Sequence, residues 1–210
     1  MTDSATRLVG LPLFPLQTVL FPGGVLSLKV FETRYLDLVS RCLRQVTPFG
    51  VVCLNQGSDV QSSGGERVRF EAVGVLAHLE EVDAEQAGIL RVRCIGGKRF
   101  RTGTPQQQPD GLWLADASLL PPDATLKPPR EQAATVVALN NAIESLRQQG
   151  HVPFAEPYRM DDASWVANRW CEILPISLAA KQKLMELQEP EMRLKLVDEY
   201  LRGKGVIPGR

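Results

Sequence analysis

The sequence predicts an α+β fold, with a β-rich half followed by a small helical bundle. Two features of the chain carry this expectation. Up to about residue 120, apolar residues alternate with polar ones or form short apolar runs, the patterns of half-buried and buried strands. Past Pro121-Pro122 and Pro128-Pro129 the apolar spacing changes to three and four residues, the period of amphipathic helices. Short strands with turn signals between them predict a small β-barrel or pseudo-barrel with one helix packed on it.

Taken in order, Leu26, Leu28 and Val30 alternate with Ser27 and Lys29, which predicts a strand. A helix is expected over 32–45, with Tyr35, Val39, Cys42 and Val46, flanked by Leu36 and Leu43, as its apolar stripe. The continuous apolar run 49–54 predicts a buried strand. Residues 55–67 are rich in Gly, Ser and Asn and predict a loop. Strand signals return over 70–82. Leu90, Val92 and Cys94 then alternate with Arg91 and Arg93, and Gly96-Gly97 predicts a hairpin turn into 98–102. A polar excursion over 104–110 precedes the last strand, 112–120.

In the second half, Val136, Leu139, Ile143 and Leu146 mark one helix, with Gly150 where its C-terminal cap would fall. Asp161 or Asp162 can cap a second helix that turns Val166, Trp170 and Ile173 inward, and Pro175 stops it. Ser177 can cap a third. Pro190 suits the first turn of a fourth, whose apolar face is Leu194, Val197 and Leu201. The expected organisation is a β-domain over 8–120, a proline-rich linker over 121–129, a helical bundle over 130–203 and a frayed tail over 204–210.

The composition narrows the function. Of 210 residues, 44% are hydrophobic, enough for a substantial core. The 24 basic and 24 acidic residues cancel, which argues against nucleic acid or anionic lipid as the main ligand. No apolar run is long enough to span a membrane, and the first residues lack a signal-peptide pattern. Cys42, Cys53, Cys94 and Cys171 are scattered inside apolar runs, as expected of reduced, buried thiols in a cytoplasmic protein. His78 and His151 have no metal-ligand partners nearby in sequence, so no metal site is expected.

A family resemblance rests on named residues. The run Leu11-Pro12-Leu13-Phe14-Pro15-Leu16-Gln17-Thr18-Val19-Leu20-Phe21-Pro22-Gly23 resembles the opening signature of the amino-terminal domain of Lon proteases. So do the strand 25–30 and the helix opening Phe31-Glu32-Thr33-Arg34-Tyr35. Val73-Gly74-Val75-Leu76-Ala77 is similar to the family's glycine-containing strand, and the run from Arg91 to Phe100 to its strand, glycine turn and arginine-phenylalanine pair. Leu174-Pro175, the run from Lys181 to Leu187, and Arg193-Leu194 follow in the family's order. The resemblance spans roughly 8–201. It implies a PUA-like β-domain with a helical bundle, and a module that recognises unfolded or partner polypeptide without doing chemistry. No G-x-x-x-x-G-K-[ST] loop occurs; at the nearest approach, Gly97-Lys98, Arg99 follows and Val92 stands where the first glycine belongs. The expectation is therefore a non-enzymatic chain without ATPase, peptidase, cofactor or metal.

Candidate site residues follow. Phe14, Phe21, Phe31 and Tyr35 cluster near the signature, either as core or as an apolar groove for unfolded segments. Trp165 lies off the inward stripe of its helix and could serve a protein contact. Arg91, Arg93, Lys98, Arg99 and Arg101 form a basic cluster that would serve the alternative, an RNA-binding PUA-like protein, although Glu80, Glu81, Asp83 and Glu85 are placed to pair with it across a sheet. Ser177 and Lys181 lie one helical turn apart, which fits an N-cap and a solvated lysine better than a catalytic dyad.

Overall fold

A computed structural model describes residues 6–56 and 69–209. The chain forms two compact units, one ending at Pro121 and the other beginning at Pro122.

Among the described residues the first unit contains eight strands and one helix. These are β1 (Arg7–Leu16), β2 (Val25–Val30), α1 (Thr33–Gln45), β3 (Phe49–Gln56), β4 (Arg69–Phe70), β5 (Val73–Gln86), β6 (Ile89–Thr102), β7 (Gln106–Gln107) and β8 (Trp113–Leu119). The pairings close on themselves: β6 pairs β5, β5 pairs β3, β3 pairs β1, β1 pairs β8, and β8 returns to β6. β1 and β3 run parallel; the other pairs are antiparallel. β2 adds to β6, β4 to β3 and β7 to β8. Closure removes most sheet edges and encloses an apolar interior. Leu11, Leu13, Val52, Leu76, Phe100 and Ala115 fill it. Each such leucine or phenylalanine contributes roughly 1.5–3 kcal/mol relative to exposure.

α1 buries Tyr35, Leu38, Val39 and Cys42, and the Tyr35 ring stacks on Phe14 at 3.7 Å. The expected stripe is corrected at its end. Val46 is not on it but caps the helix in the left-handed region, with φ 53°. Leu43 points outward.

The hairpin is also displaced. The chain turns at residues 87–88, and β6 then runs unbroken through Gly96-Gly97. The register explains the two glycines. Ala77 faces Gly96 but Val75 faces Arg99, so β6 carries one extra residue there, a β-bulge. A side chain at Gly96 would place its Cβ 2.2 Å from the Phe21 carbonyl oxygen, and one at Gly97 would meet the His78 ring at 2.5 Å. These glycines make room for neighbours instead of turning the chain. Most of the loop expected over 55–67 lies outside the described residues.

The second unit holds a short 3-10 turn (Arg130–Gln132) and α2 (Ala133–Gln148), α3 (Ala163–Ile173), α4 (Leu178–Glu186) and α5 (Pro190–Gly203). Its caps follow the sequence. Asp162 accepts a hydrogen bond from the Ser164 N–H, Ser177 accepts one from the Ala180 N–H, and Pro190 opens α5. Gly150, at φ 82°, follows α2, and the His151 N–H returns to the Leu146 carbonyl. α3 packs against α2, α4 and α5, and every residue from Ala163 to Cys171 is buried.

The stretch after Pro122 is held to this unit. Asp123 pairs with Arg193 at 2.7 Å and accepts from Ser164 Oγ at 2.6 Å, while the Leu126 carbonyl accepts from the Ala163 N–H. The tail also returns to the unit: Ile207 is buried, and the Val206 N–H bonds the Leu201 carbonyl.

Candidate functional site

The signature aromatics divide by burial. Phe14, Phe21 and Tyr35 are buried within the first unit, while Phe31, just past β2, is 55% exposed. A groove of about 130 Å³ runs beside it, lined by Leu16, Leu28, Lys29, Glu32 and the edges of Phe14 and Tyr35. Trp165 is not outward-facing as its helical position suggested. α3 is enclosed on all sides, and Trp165 packs edge-on against Phe154 and beside Tyr158.

The basic cluster does not form one surface. Arg93 pairs with Glu80 at 2.8 Å and Arg91 with Glu85 at 3.5 Å, as the cross-strand arrangement predicts. Arg99 is buried, with a guanidinium nitrogen donating to the Pro121 carbonyl. The bulge at Gly97 shifts the strand phase, so Arg99 turns inward while Lys98 and Arg101 remain exposed. With Arg91 and Arg93 paired and Arg99 buried, Lys98 and Arg101 are what the cluster leaves exposed.

A second groove, of about 480 Å³, lies between the start of β1 and the end of α1. Leu8, Leu11, Pro12, Cys42 and Pro48 supply its apolar lining; Arg7 and Arg41 bring positive charge to it. Arg41 forms no ion pair among the described residues. Arg7 reaches Asp116 at 2.6 Å. Together with the Gly10 N–H, it holds the Asp116 carboxyl below its usual range. Val9, 81% exposed, lies at this groove, and Val46, 91% exposed, sits between two residues that line it. The groove beside Phe31 is lined by three of the aromatics that the sequence offered as core or groove, whereas the groove along β1 was not legible, because a sequence does not say which strand edges stay open.

Ser177 and Lys181 are each engaged with a helix backbone and not with one another. Lys181 Nζ donates to the Glu172 carbonyl at 2.8 Å, and Ser177 Oγ accepts from the Ala180 N–H, so the two residues serve a helix end. The four thiols are free and buried; burial pushes Cys94 and Cys171 up to about 12, which leaves no thiolate at neutral pH. Among the described residues no group of three or more His, Cys, Asp or Glu could hold a metal ion.

A PUA-like strand ring and a helical unit define a domain of the α+β class. The chain belongs to the family of the ATP-dependent protease La (LON) substrate-binding domain, whose family model matches residues 10–203. It is 30% identical to a Lon N-terminal domain protein from Xanthomonas campestris, whose crystal structure superposes with a TM-score of 0.71, covering 92% of this chain and 99% of that one. The N-terminal domain of a Mycobacterium avium complex Lon protease shares the fold at 16% identity and a TM-score of 0.59, over 93% and 97% of the two chains. Lon protease 2 of Herpetosiphon aurantiacus is 25% identical over 94% of this chain. The match spans about a quarter of that protease, 24% of its length.

Proposed function

We propose that the chain is a non-catalytic polypeptide-binding module that engages unfolded or partner polypeptide in the cytoplasm. The observation that carries this reading is membership, across residues 10–203, in a family described as a substrate-binding domain. Exposed apolar residues beside grooves fit it, because unfolded chains offer apolar side chains and unpaired backbone. Four buried free thiols suit a reducing compartment. No described helix is long and apolar enough to cross a membrane. The paired state of Arg91 and Arg93 and the burial of Arg99 weigh against RNA as the ligand.

The test is a titration with a reduced and alkylated, permanently unfolded test protein, beside the same protein in its native state. Binding of the unfolded form alone is expected; binding of neither form overturns the reading. Phe31→Ser should change stability by no more than about 0.5 kcal/mol, the range of a neutral surface change, while weakening the complex. ATP turnover and casein cleavage are expected to be absent. Casein cleavage that follows the protein through purification and vanishes in Ser177→Ala would replace this function with an enzymatic one.

A further inference from the structure

The larger groove has a backbone wall as well as side chains. β1 pairs with β3 only from Leu13 to Leu16, whereas its pairing with β8 begins at Arg7. Over Arg7–Pro12 the edge of β1 opposite β8 has no strand partner among the described residues. The Leu119 N–H donates to the Thr6 carbonyl, so alternation turns the backbone groups of Arg7 and Val9 to the other side, toward the open edge. A bulge at Gly10, φ 61°, sits on this stretch, and Pro12, which lacks an N–H, is tolerated best at an edge.

We infer that this open edge of β1 takes an extended segment of polypeptide as an added strand, and that the preferred segment alternates apolar residues with acidic ones. The inference rests on the polypeptide-binding reading above and adds to the Phe31 groove a second contact site. Three observations select this occupant. An unpaired strand edge offers donors and acceptors at the spacing of another polypeptide backbone, about 4.8 Å away. The floor beside it is apolar, and the exposed Val9 and Val46 extend it. Val46 holds a backbone conformation costly for a β-branched residue, beside the groove and facing solvent. Finally, Arg41 carries a charge that no described partner neutralises, and the last turn of α1 adds Arg44, so an acidic segment is complementary where a basic one is repelled.

The probe is a labelled synthetic decapeptide alternating valine and glutamate. Controls are the same peptide with glutamate replaced by lysine, and one N-methylated at alternate residues so that one backbone edge cannot donate. Fluorescence anisotropy with the full chain is expected to show saturable binding of the acidic peptide. N-methylation should weaken it at least about tenfold, as should Arg41→Glu and Val9→Glu, two substitutions outside the core. Competition by the acidic peptide should displace the unfolded test protein. Unfolded protein bound as before while the acidic peptide does not compete leaves the polypeptide-binding reading standing and overturns the β1 edge. Equal binding of methylated and unmethylated peptides also overturns it, whatever the variants do. Failure to bind either the unfolded protein or the peptide removes both.

Discussion

The two units solve the problem of an interior in opposite ways. The ring of the first is filled by aliphatic and aromatic side chains; among the described residues its buried arginines, Arg34 and Arg99, reach the backbone carbonyls of Gly111 and Pro121, and Arg34 also pairs with Glu32 at 2.8 Å. The second unit buries charge along its helices. Arg193, 1% exposed, donates to Asp123, to Asn168 Oδ1 at 2.8 Å, and to the carbonyls of Leu184 and Leu187. Asp198 accepts from Thr135 at 2.6 Å and from Arg202 at 2.7 Å, and Arg169 pairs with Glu172 at 2.7 Å. In the first unit shape is the main constraint; in the second it is the pairing of buried charge, because an orphaned buried charge costs more than a lost contact. Tryptophans report on each separately: Trp113 lies in the ring, Trp165 and Trp170 in the helical unit.

The largest expected effect is in the helical unit. Arg193→Met should destabilise it by roughly 3–5 kcal/mol, since the largely buried Asp123 carboxylate loses its cationic partner. The loss should be read in the Trp165 and Trp170 emission during urea unfolding, and a cost under about 1 kcal/mol would mean that the network contributes little. In the ring the corresponding break is steric. At Gly74 a Cβ would lie 2.3 Å from the Val51 carbonyl oxygen and 2.7 Å from the Phe100 ring. Gly74→Ala should therefore cost about 1–3 kcal/mol, reported by Trp113. A neutral outcome would show that the ring yields more easily than its packing implies.

The smallest effect separates the units by pH. Burial raises the Glu172 carboxyl from 4.5 to about 7, although Arg169 and Lys181 pull it down. Between those values the folded state holds a proton that the unfolded chain has released, so stability increases as pH falls from about 7 toward 4.5. Asp116 in the ring has the opposite sign: its contribution is present above its ordinary 3.8 and disappears as acid protonates it. The melt followed by Trp165 and Trp170 should thus move upward between neutral pH and pH 5.5, and Glu172→Gln should flatten that rise. A downward shift would reverse the assignment.

Much of this architecture was legible from periodicity. The alternation around Leu26 and Leu28, the caps at Asp162 and Ser177, and the face of Leu194, Val197 and Leu201 all appear as read. Misreadings arose where a residue answers to a distant neighbour. Gly96-Gly97 carries the local signal of a turn, yet its cause is the Phe21 carbonyl and the His78 ring. Trp165 lies off the stripe that faces one partner, but α3 is packed against three helices. Val46 continues the α1 stripe in sequence and leaves it in space, because the helix ends one residue earlier. Of the candidate aromatics, only Phe31 is exposed. The groove along β1 left no trace in residue types, since an unpaired edge is a property of pairing.

The ring also constrains how the protein comes into being. Arg7 and Asp116, in the strands that close it, are 109 residues apart in the chain. A nascent chain leaving the ribosome can zip the β5–β6 hairpin early, because its strands are joined by a two-residue turn. β1, made first, must wait for β8 before that side of its backbone is satisfied. Until β8 emerges, the edge of this first strand that faces it stays unpaired, whatever β3 does on the other side.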